Sequence, residues 1–144
     1  MLITSRAQLD TVLKARAATA LNLMMSRVEE VLQKFLDQYY REYDPEKYQR
    51  TYQMYRSLVH SGVESTADGF QCAVYFDPSG ADYTGWWNSS GKSAEEIWAL
   101  PMSGKHGQGG PGGTAIMDET VAVLQQDGRA MFKQALIDAG LPVV

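Results

Sequence analysis

The sequence predicts one α+β domain, because helix-like and strand-like hydrophobic patterns occupy separate stretches of the chain. Its first 44 residues contain neither glycine nor proline and carry apolar residues at helical spacing. A strand-like alternation follows at residues 70–76, and a further helical pattern covers residues 118–139. With 144 residues, 44% of them hydrophobic, the chain suits a single domain over residues 1–144 with a modest core.

The first helical segment carries its apolar residues on one stripe, at intervals of three or four: Leu21, Met24, Val28, Val31, Phe35 and Tyr39. A weaker stripe precedes it, with Leu9, Val12, Leu13, Ala17 and Ala20. The pattern leaves open whether these stripes belong to one helix or to two helices joined near residues 19–22. At ~1.5 Å per residue, an unbroken helix of roughly 50 Å or more would project from a small domain.

A second helix is expected to begin at Asp44-Pro45-Glu46. The aspartate can cap free N–H groups, the proline suits the first helical position, and the glutamate complements the positive end of the dipole. One face of this helix would carry Tyr48, Tyr52, Tyr55 and Val59. The run His60-Ser61-Gly62 is expected to end it.

A change to a period of two marks the predicted sheet. Phe70, Cys72, Val74 and Phe76 alternate with other residues, which is typical of a half-buried strand. Residues 63–66 can pair with this strand as a hairpin, with residues 67–69 as the turn.

Two further helices are expected after the sheet. Ser93 and Glu96 form a capping box ahead of a short helix that Pro101 limits, and Asp118 can cap a last helix that ends at Gly140-Leu141-Pro142. Between them, residues 104–113 hold six glycines, which predicts a flexible loop. The residues expected to be largely buried are Phe35, Val74, Phe76, Trp98, Leu124 and Phe132.

Composition and charge exclude several classes of protein. Thirteen Lys and Arg against seventeen Asp and Glu give a net charge of −4, so the chain is not a generic binder of phosphate backbones. A single cysteine, Cys72, excludes an internal disulfide framework. No apolar run reaches the ~18 residues of a membrane span, and the first residues lack the apolar core of a signal peptide. We therefore expect a soluble protein made in the cytoplasm, with no membrane partner.

The charge is unevenly distributed along the chain. Residues 1–60 carry nine basic and seven acidic residues, a balance of +2, whereas residues 61–144 carry four and ten, a balance of −6. Two faces of opposite sign would suit head-to-tail packing of copies. Chance asymmetry between two solvated surfaces is the alternative.

No catalytic, cofactor-binding or metal-binding motif stands out. The glycine-rich loop contains Lys105 and His106 but lacks the spacing of a phosphate-binding loop. The two histidines, His60 and His106, do not fall in a metal-ligand pattern. Cys72 is most simply a small buried apolar residue of the strand. We therefore expect no enzyme activity, no cofactor and no metal.

Aromatic residues indicate contact surfaces. Six of the eight tyrosines lie within residues 39–55, and tyrosine suits subunit interfaces because it combines a rigid ring with a polar tip. Base stacking is the alternative, but no basic stripe accompanies these tyrosines. Tyr83, Trp86 and Trp87 could instead line a pocket for a small ligand or carbohydrate, and a small hydrolase using His106 is a third class.

The stretch around Pro45 resembles a segment of small virion proteins of long-tailed phages and prophages of Gram-positive hosts. The residues that carry the resemblance are Tyr39, Tyr40, Tyr43, Asp44, Pro45, Tyr48, Gln49, Arg50, Thr51, Tyr52, Ser57 and Leu58. The order of the later elements is also similar, including Trp86-Trp87 and the Lys105-His106-Gly107 element. The family is that of the head–tail joining or tail-completion proteins of the phage neck.

This resemblance implies a small antiparallel sheet with helices packed on one side. It also implies a structural virion protein, whose copies form a ring between head connector and tail tube. The implied partners are other copies, neighbouring head-completion or connector proteins, tail-tube or tail-terminator proteins, and DNA that passes through the lumen without sequence-specific contact. The residues assigned to interfaces or to the structural motif are Tyr43, Pro45, Tyr48, Arg50, Thr51, Tyr52, Trp86, Trp87, His106 and Gly107.

Two of these assignments have a physical basis of their own. Arg50 and Thr51 are expected to be structural, since the five donors of a guanidinium can tie the second helix to nearby carboxylates or carbonyls. The glycine-rich loop is expected to be mobile in the isolated protein and to order against a neighbouring subunit, because glycine loses much backbone freedom when it is fixed.

Overall fold

A computed structural model describes residues 2–42, 52–85, 88–104 and 113–143. Its elements in chain order are helix α1 (Arg6–Glu42), helix α2 (Gln53–Arg56), strands β1 (Leu58–His60), β2 (Glu64–Thr66), β3 (Gly69–Gln71) and β4 (Val74–Phe76), helix α3 (Ala94–Met102) and helix α4 (Ile116–Asp138). The predicted α+β class is confirmed. None of the described helices is long and apolar enough to cross a membrane.

Helices α1 and α4 form an antiparallel pair. Arg16 of α1 donates to the carbonyl of Gly140, just past the end of α4. Farther along α1, Arg27 donates to the Met131 carbonyl at 2.8 Å and forms an ion pair with Asp138 at 2.6 Å. Helix α1 is a single helix of 37 residues, about 55 Å long, so it has no break near residues 19–22. Residues 6–15 extend past the end of α4.

The core lies where the second half of α1 meets α2, α3 and the beginning of α4. Its buried members are Val28, Leu32, Phe35, Leu36, Tyr39, Met54, Trp98 and Ile116. Burial of Phe35 and Trp98 is as predicted, whereas Val74, Phe76 and Leu124 are only half-buried against this cluster.

The predicted burial of Phe132 is wrong, because its side chain is 41% exposed. The face of α4 that packs on α1 passes through Met131, whose carbonyl binds Arg27, and through the fully buried Ala135. Phe132 lies about 100° farther around the helix, at 3.6 residues per turn.

The described strands form two two-stranded antiparallel sheets instead of one hairpin. Strand β2 pairs with β3 across the predicted turn, with Glu64 opposite Gln71. Strand β4 pairs with β1, with Leu58 opposite Phe76. The predicted single strand 70–76 is interrupted at Cys72 and Ala73, where the Ser61 N–H donates to the Ala73 carbonyl at 2.8 Å.

The predicted second helix ends earlier than expected. Its described part, α2, has four residues and ends where the Ser57 hydroxyl donates to the Met54 carbonyl at 2.7 Å. Val59 and His60, which were expected to complete the helix, lie in β1, because the main chain there pairs with β4. The predicted start of this helix, residues 44–46, lies outside the described residues.

The helix-end predictions are confirmed in part. Ser93 and Glu96 form the capping box, with hydrogen bonds of 2.7 and 3.3 Å. Pro101 is buried inside α3, which ends one residue later. Asp118 lies in the first turn of α4 and does not cap it, since the cap position is Ala115. Gly140 ends α4 with a φ of 78°, as expected.

Replacing Ser93 with alanine should lower the free energy of unfolding by about 1 kcal/mol, because the first turn of α3 loses its side-chain acceptor. Ser90→Ala, at an exposed position outside any helix, is the matched control and should change stability little. Urea denaturation of both variants measures the difference. Equal stability of the two variants would contradict a stabilising capping box.

Candidate functional site

Three aromatic rings, two of them exposed and one half-buried, form a cluster at the end of α1. We call Tyr40, Tyr52 and Tyr55 the tyrosine cluster. Tyr40 stacks on Tyr52 with ring centroids 5.0 Å apart, and Tyr55 meets these two rings edge-on at 5.6 and 6.2 Å. Tyr52 adopts a left-handed backbone with φ of 56°, which is uncommon for a residue other than glycine. This conformation starts α2 and places its ring over Tyr40.

Polar groups surround the tyrosine cluster. The Tyr55 hydroxyl donates to the Asp37 carboxylate, which raises the pKa of Tyr55 above its ordinary range. Asp37, Arg41 and the three tyrosines line a shallow, open depression of about 470 Å³. Exposed rings with polar tips, beside one acid and one base, are chemistry typical of a protein–protein interface.

Asp37→Asn should lower the pKa of Tyr55 toward its ordinary range, because the anion that disfavours tyrosinate is removed. In the parent protein the raised pKa stabilises the fold below the ordinary tyrosine pKa, and this contribution is lost as pH rises through the raised value. An alkaline absorbance titration, with Tyr55→Phe subtracted in each background, isolates this hydroxyl. An unchanged Tyr55 midpoint in Asp37→Asn would disprove the hydrogen bond.

A second contact joins the end of α1 to the residues before α4. The Glu42 carboxylate accepts hydrogen bonds from the backbone N–H of Thr114 at 3.0 Å and from its hydroxyl at 2.7 Å. Beside it, the Gly113 N–H donates to the Gly104 carbonyl at 2.9 Å. A Cβ at Gly104, whose φ is 76°, would lie 2.8 Å from the Gly113 carbonyl oxygen, so this closure requires glycine. The two ends of the predicted glycine-rich loop are therefore held together next to Glu42.

Tyr83, proposed above for a ligand pocket, is engaged with the core. The Trp98 indole N–H donates to its hydroxyl at 2.5 Å, and the two rings meet edge-on at 6.3 Å. Burial raises the pKa of Tyr83, while hydrogen bonds from Trp98 and the Met54 backbone oppose that rise. Trp86 and Trp87 lie outside the described residues, so the ligand-binding alternative stays a prediction.

The residues considered for other chemistry lie apart. His60 ends β1, where its Nε2 is 4.0 Å from the Glu29 carboxylate. Cys72 is half-buried, and its thiol donates to the Ser61 carbonyl at 3.1 Å. Across the described ranges, His, Cys, Asp and Glu side chains form no group of three or more that could hold a metal ion.

The structure describes one of the ten predicted interface or motif residues, Tyr52. The other nine lie outside the described residues: Tyr43, Pro45, Tyr48, Arg50, Thr51, Trp86, Trp87, His106 and Gly107. Sequence reasoning missed Asp37 as the partner of Tyr55. It also missed the contact between Glu42 and Thr114, which lie 72 residues apart and share no local pattern.

Exposed apolar side chains occur in two further groups. The first lies at the beginning of the chain and on the first turns of α1: Leu2, Ile3, Leu9 and Leu13. The second lies on one side of α4 and consists of Met117, Val121 and Phe132, while Ile137 is exposed on the opposite side of that helix. Single exposed apolar residues are ordinary, but groups on one helix face mark candidate contact surfaces.

A family model described as YomN matches residues 5–139, from the start of α1 to the end of α4. The chain belongs to the YomN family. The YomN family is associated with phages and prophages, so the predicted phage association is confirmed. Neither a curated protein nor a solved structure matches the chain significantly.

Proposed function

We propose that this YomN-family chain is a structural virion protein of a tailed phage, whose copies form a ring at the head–tail interface through which DNA passes. The observation that carries the proposal is the presence of two different exposed apolar surfaces, one on α1 and one on α4. A ring needs two such surfaces on every copy, because each copy contacts one neighbour with each of them. The family association with phages supplies the biological setting.

The tyrosine cluster supports contacts with other neck proteins. It lies with Asp37 and Arg41 at the opposite end of α1 from Leu9 and Leu13, so it can contact a different neighbour. We assign it to the layer above or below the ring, that is, to a connector or head-completion protein or to a tail-tube or tail-terminator protein. The work in this proposal is mechanical and involves no catalysis or cofactor. A net charge of −4 suits a lumen in which DNA must slide.

Labelled virions test the proposal. A phage whose copy of this gene carries an affinity tag should bind gold-labelled antibody at the neck in electron micrographs. Deletion of the gene should leave full-sized heads and separate tails, and the untagged gene supplied in trans should restore joined particles. Absence of the chain from purified virions, or normal particles after deletion, would overturn the assignment.

A further inference from the structure

We propose that residues 6–15 of α1, called here the α1 arm, pack on the outer face of α4 in a second copy of this chain. This inference rests on the proposed function, because the contact it describes is the one that links neighbouring copies in the ring. It goes further by naming the two surfaces and the order in which copies join.

The α1 arm carries the apolar stripe of α1 past the point where α4 stops covering it. Leu9 and Leu13 are each 41% exposed, yet they align at helical spacing with Ala20, which is fully buried. Arg16 marks the position where α4 ends, through its hydrogen bond to the Gly140 carbonyl. The face of α1 that packs on α4 therefore extends about 15 Å past the end of that helix, at 1.5 Å per residue.

The outer face of α4 offers a matching stripe. Met117, Val121 and Phe132 are 37%, 43% and 41% exposed and lie on one side of the helix, separated by whole turns. The residues of α4 that contact its own core, Ile116 and Thr120, lie on the neighbouring side. The exposed fractions of Met117, Val121 and Phe132 show that the protomer itself leaves much of this stripe uncovered.

Geometry excludes the same chain as the occupant at Met117 and Val121. These residues lie close to Thr114, which is bound to Glu42 at the far end of α1. The α1 arm is roughly 45 Å from that end along a continuous helix. Only the arm of another copy can reach the beginning of α4.

Charge favours this pairing over contact between two arms. The arm carries Arg6 and Lys14 against a single acid, Asp10, whereas the first turn of α4 carries Asp118 and Glu119. A contact between the α1 arm and α4 of another copy brings basic residues near acidic ones. A contact between two α1 arms would bring like charges together. Because the two surfaces differ, copies add head to tail, which closes into a ring when the rotation allows.

Cysteine cross-linking tests the contact in the full-length protein. In a Cys72→Ser background, Leu13→Cys and Val121→Cys proteins carrying tags of different size are mixed and mildly oxidised. We expect a disulfide-linked dimer that contains both tags, and a chain with both substitutions should give a ladder of multimers. Leu13→Cys mixed with Tyr75→Cys, which is exposed on β4, is the control and should not link. Positions 13, 75 and 121 are exposed, Cys72 is half-buried, and circular dichroism verifies that the Cys72→Ser background and each variant fold.

Two outcomes overturn the inference. Dimers of Leu13→Cys alone would show that arms pair with each other, and no link between Leu13→Cys and Val121→Cys would show that α4 is not the occupied surface. Charge reversal gives an independent check. Arg6→Glu with Lys14→Glu should lower the cross-linking yield several-fold, and Asp118→Lys with Glu119→Lys on the other partner should restore it. If the cross-links form but the protein is absent from the neck of virions, the contact between copies stands and only the proposed location is refuted.

Discussion

Leu36→Ala should lower the free energy of unfolding by about 2–5 kcal/mol, the range for a leucine truncated in a packed core. Leu36 is fully buried in the cluster between α1, α3 and α4, which includes Trp98 and Ile116. The loss has two parts, the transfer of the removed methyl groups and the cavity that a long helix cannot close. Urea unfolding should show a lower midpoint with an unchanged slope.

Leu9→Ala is the matched control, because it makes the same change on the same helix at an exposed position. We expect it to cost about 0.5 kcal/mol or less, as for most surface substitutions. Comparable losses at Leu9 and Leu36 would mean that the core does not lie along the second half of α1.

The helical part of the fold could be predicted from periodicity, but the orientation of the helices could not. One unbroken helix and two joined helices would show the same apolar periodicity. The continuous helix is stabilised by α4, which packs alongside it as far as Arg16. In α4, Met131 and Phe132 are both apolar, so the sequence alone does not show which of them faces α1. The packing of α4 on α1 decides which residues face inward, as the fully buried Ala135 shows, and the Arg27 bond to the Met131 carbonyl that joins the two helices spans 104 residues.

The prediction of one hairpin with a single strand at residues 70–76 was wrong for a similar reason. Residues 70–76 alternate as one strand, yet Ser61 interrupts them by donating its N–H to the Ala73 carbonyl and accepting the Ala73 N–H on its hydroxyl. Val59 and His60 continue a helical pattern locally but have more to gain from pairing with β4. In both segments, hydrogen bonds to a distant part of the backbone determine the conformation, and local sequence propensity does not predict such bonds.

The sequence predicted where tyrosines would be concentrated, but it did not predict their contacts. The density of tyrosines predicted a contact surface. Tyr40, Tyr52 and Tyr55 form a ring cluster in which Tyr52 and Tyr55 are exposed, and their role in a contact stays a prediction. The electrostatics of this cluster depend on Asp37, which reaches Tyr55 only because α2 folds back against the last turns of α1. The sequence pattern shows the leucines of the α1 arm only as a weak apolar stripe. It does not show that they are exposed, because their exposure depends on where α4 ends.

Glu42→Ala should lower the free energy of unfolding by about 1–3 kcal/mol, the usual cost of leaving buried donors without an acceptor. Thr114 is 2% exposed, and the Glu42 carboxylate accepts both its backbone N–H and its hydroxyl. Glu30→Ala, an exposed glutamate on the same helix, is the matched control and should cost little. Glu42→Gln should fall between them, because an amide oxygen still accepts but without the charge that strengthens both bonds.

The position of this contact makes a second measurement decisive. Thr114 precedes α4 by two residues and follows Gly113, whose N–H closes the ends of the glycine-rich loop. Loss of the Glu42 carboxylate should therefore speed amide hydrogen exchange at Gly113 and Thr114 and in the first turn of α4, and leave Ala135 protected. Uniformly faster exchange would indicate general destabilisation. Unchanged exchange at Thr114 would contradict the contact itself, since its own N–H is one of the two donors.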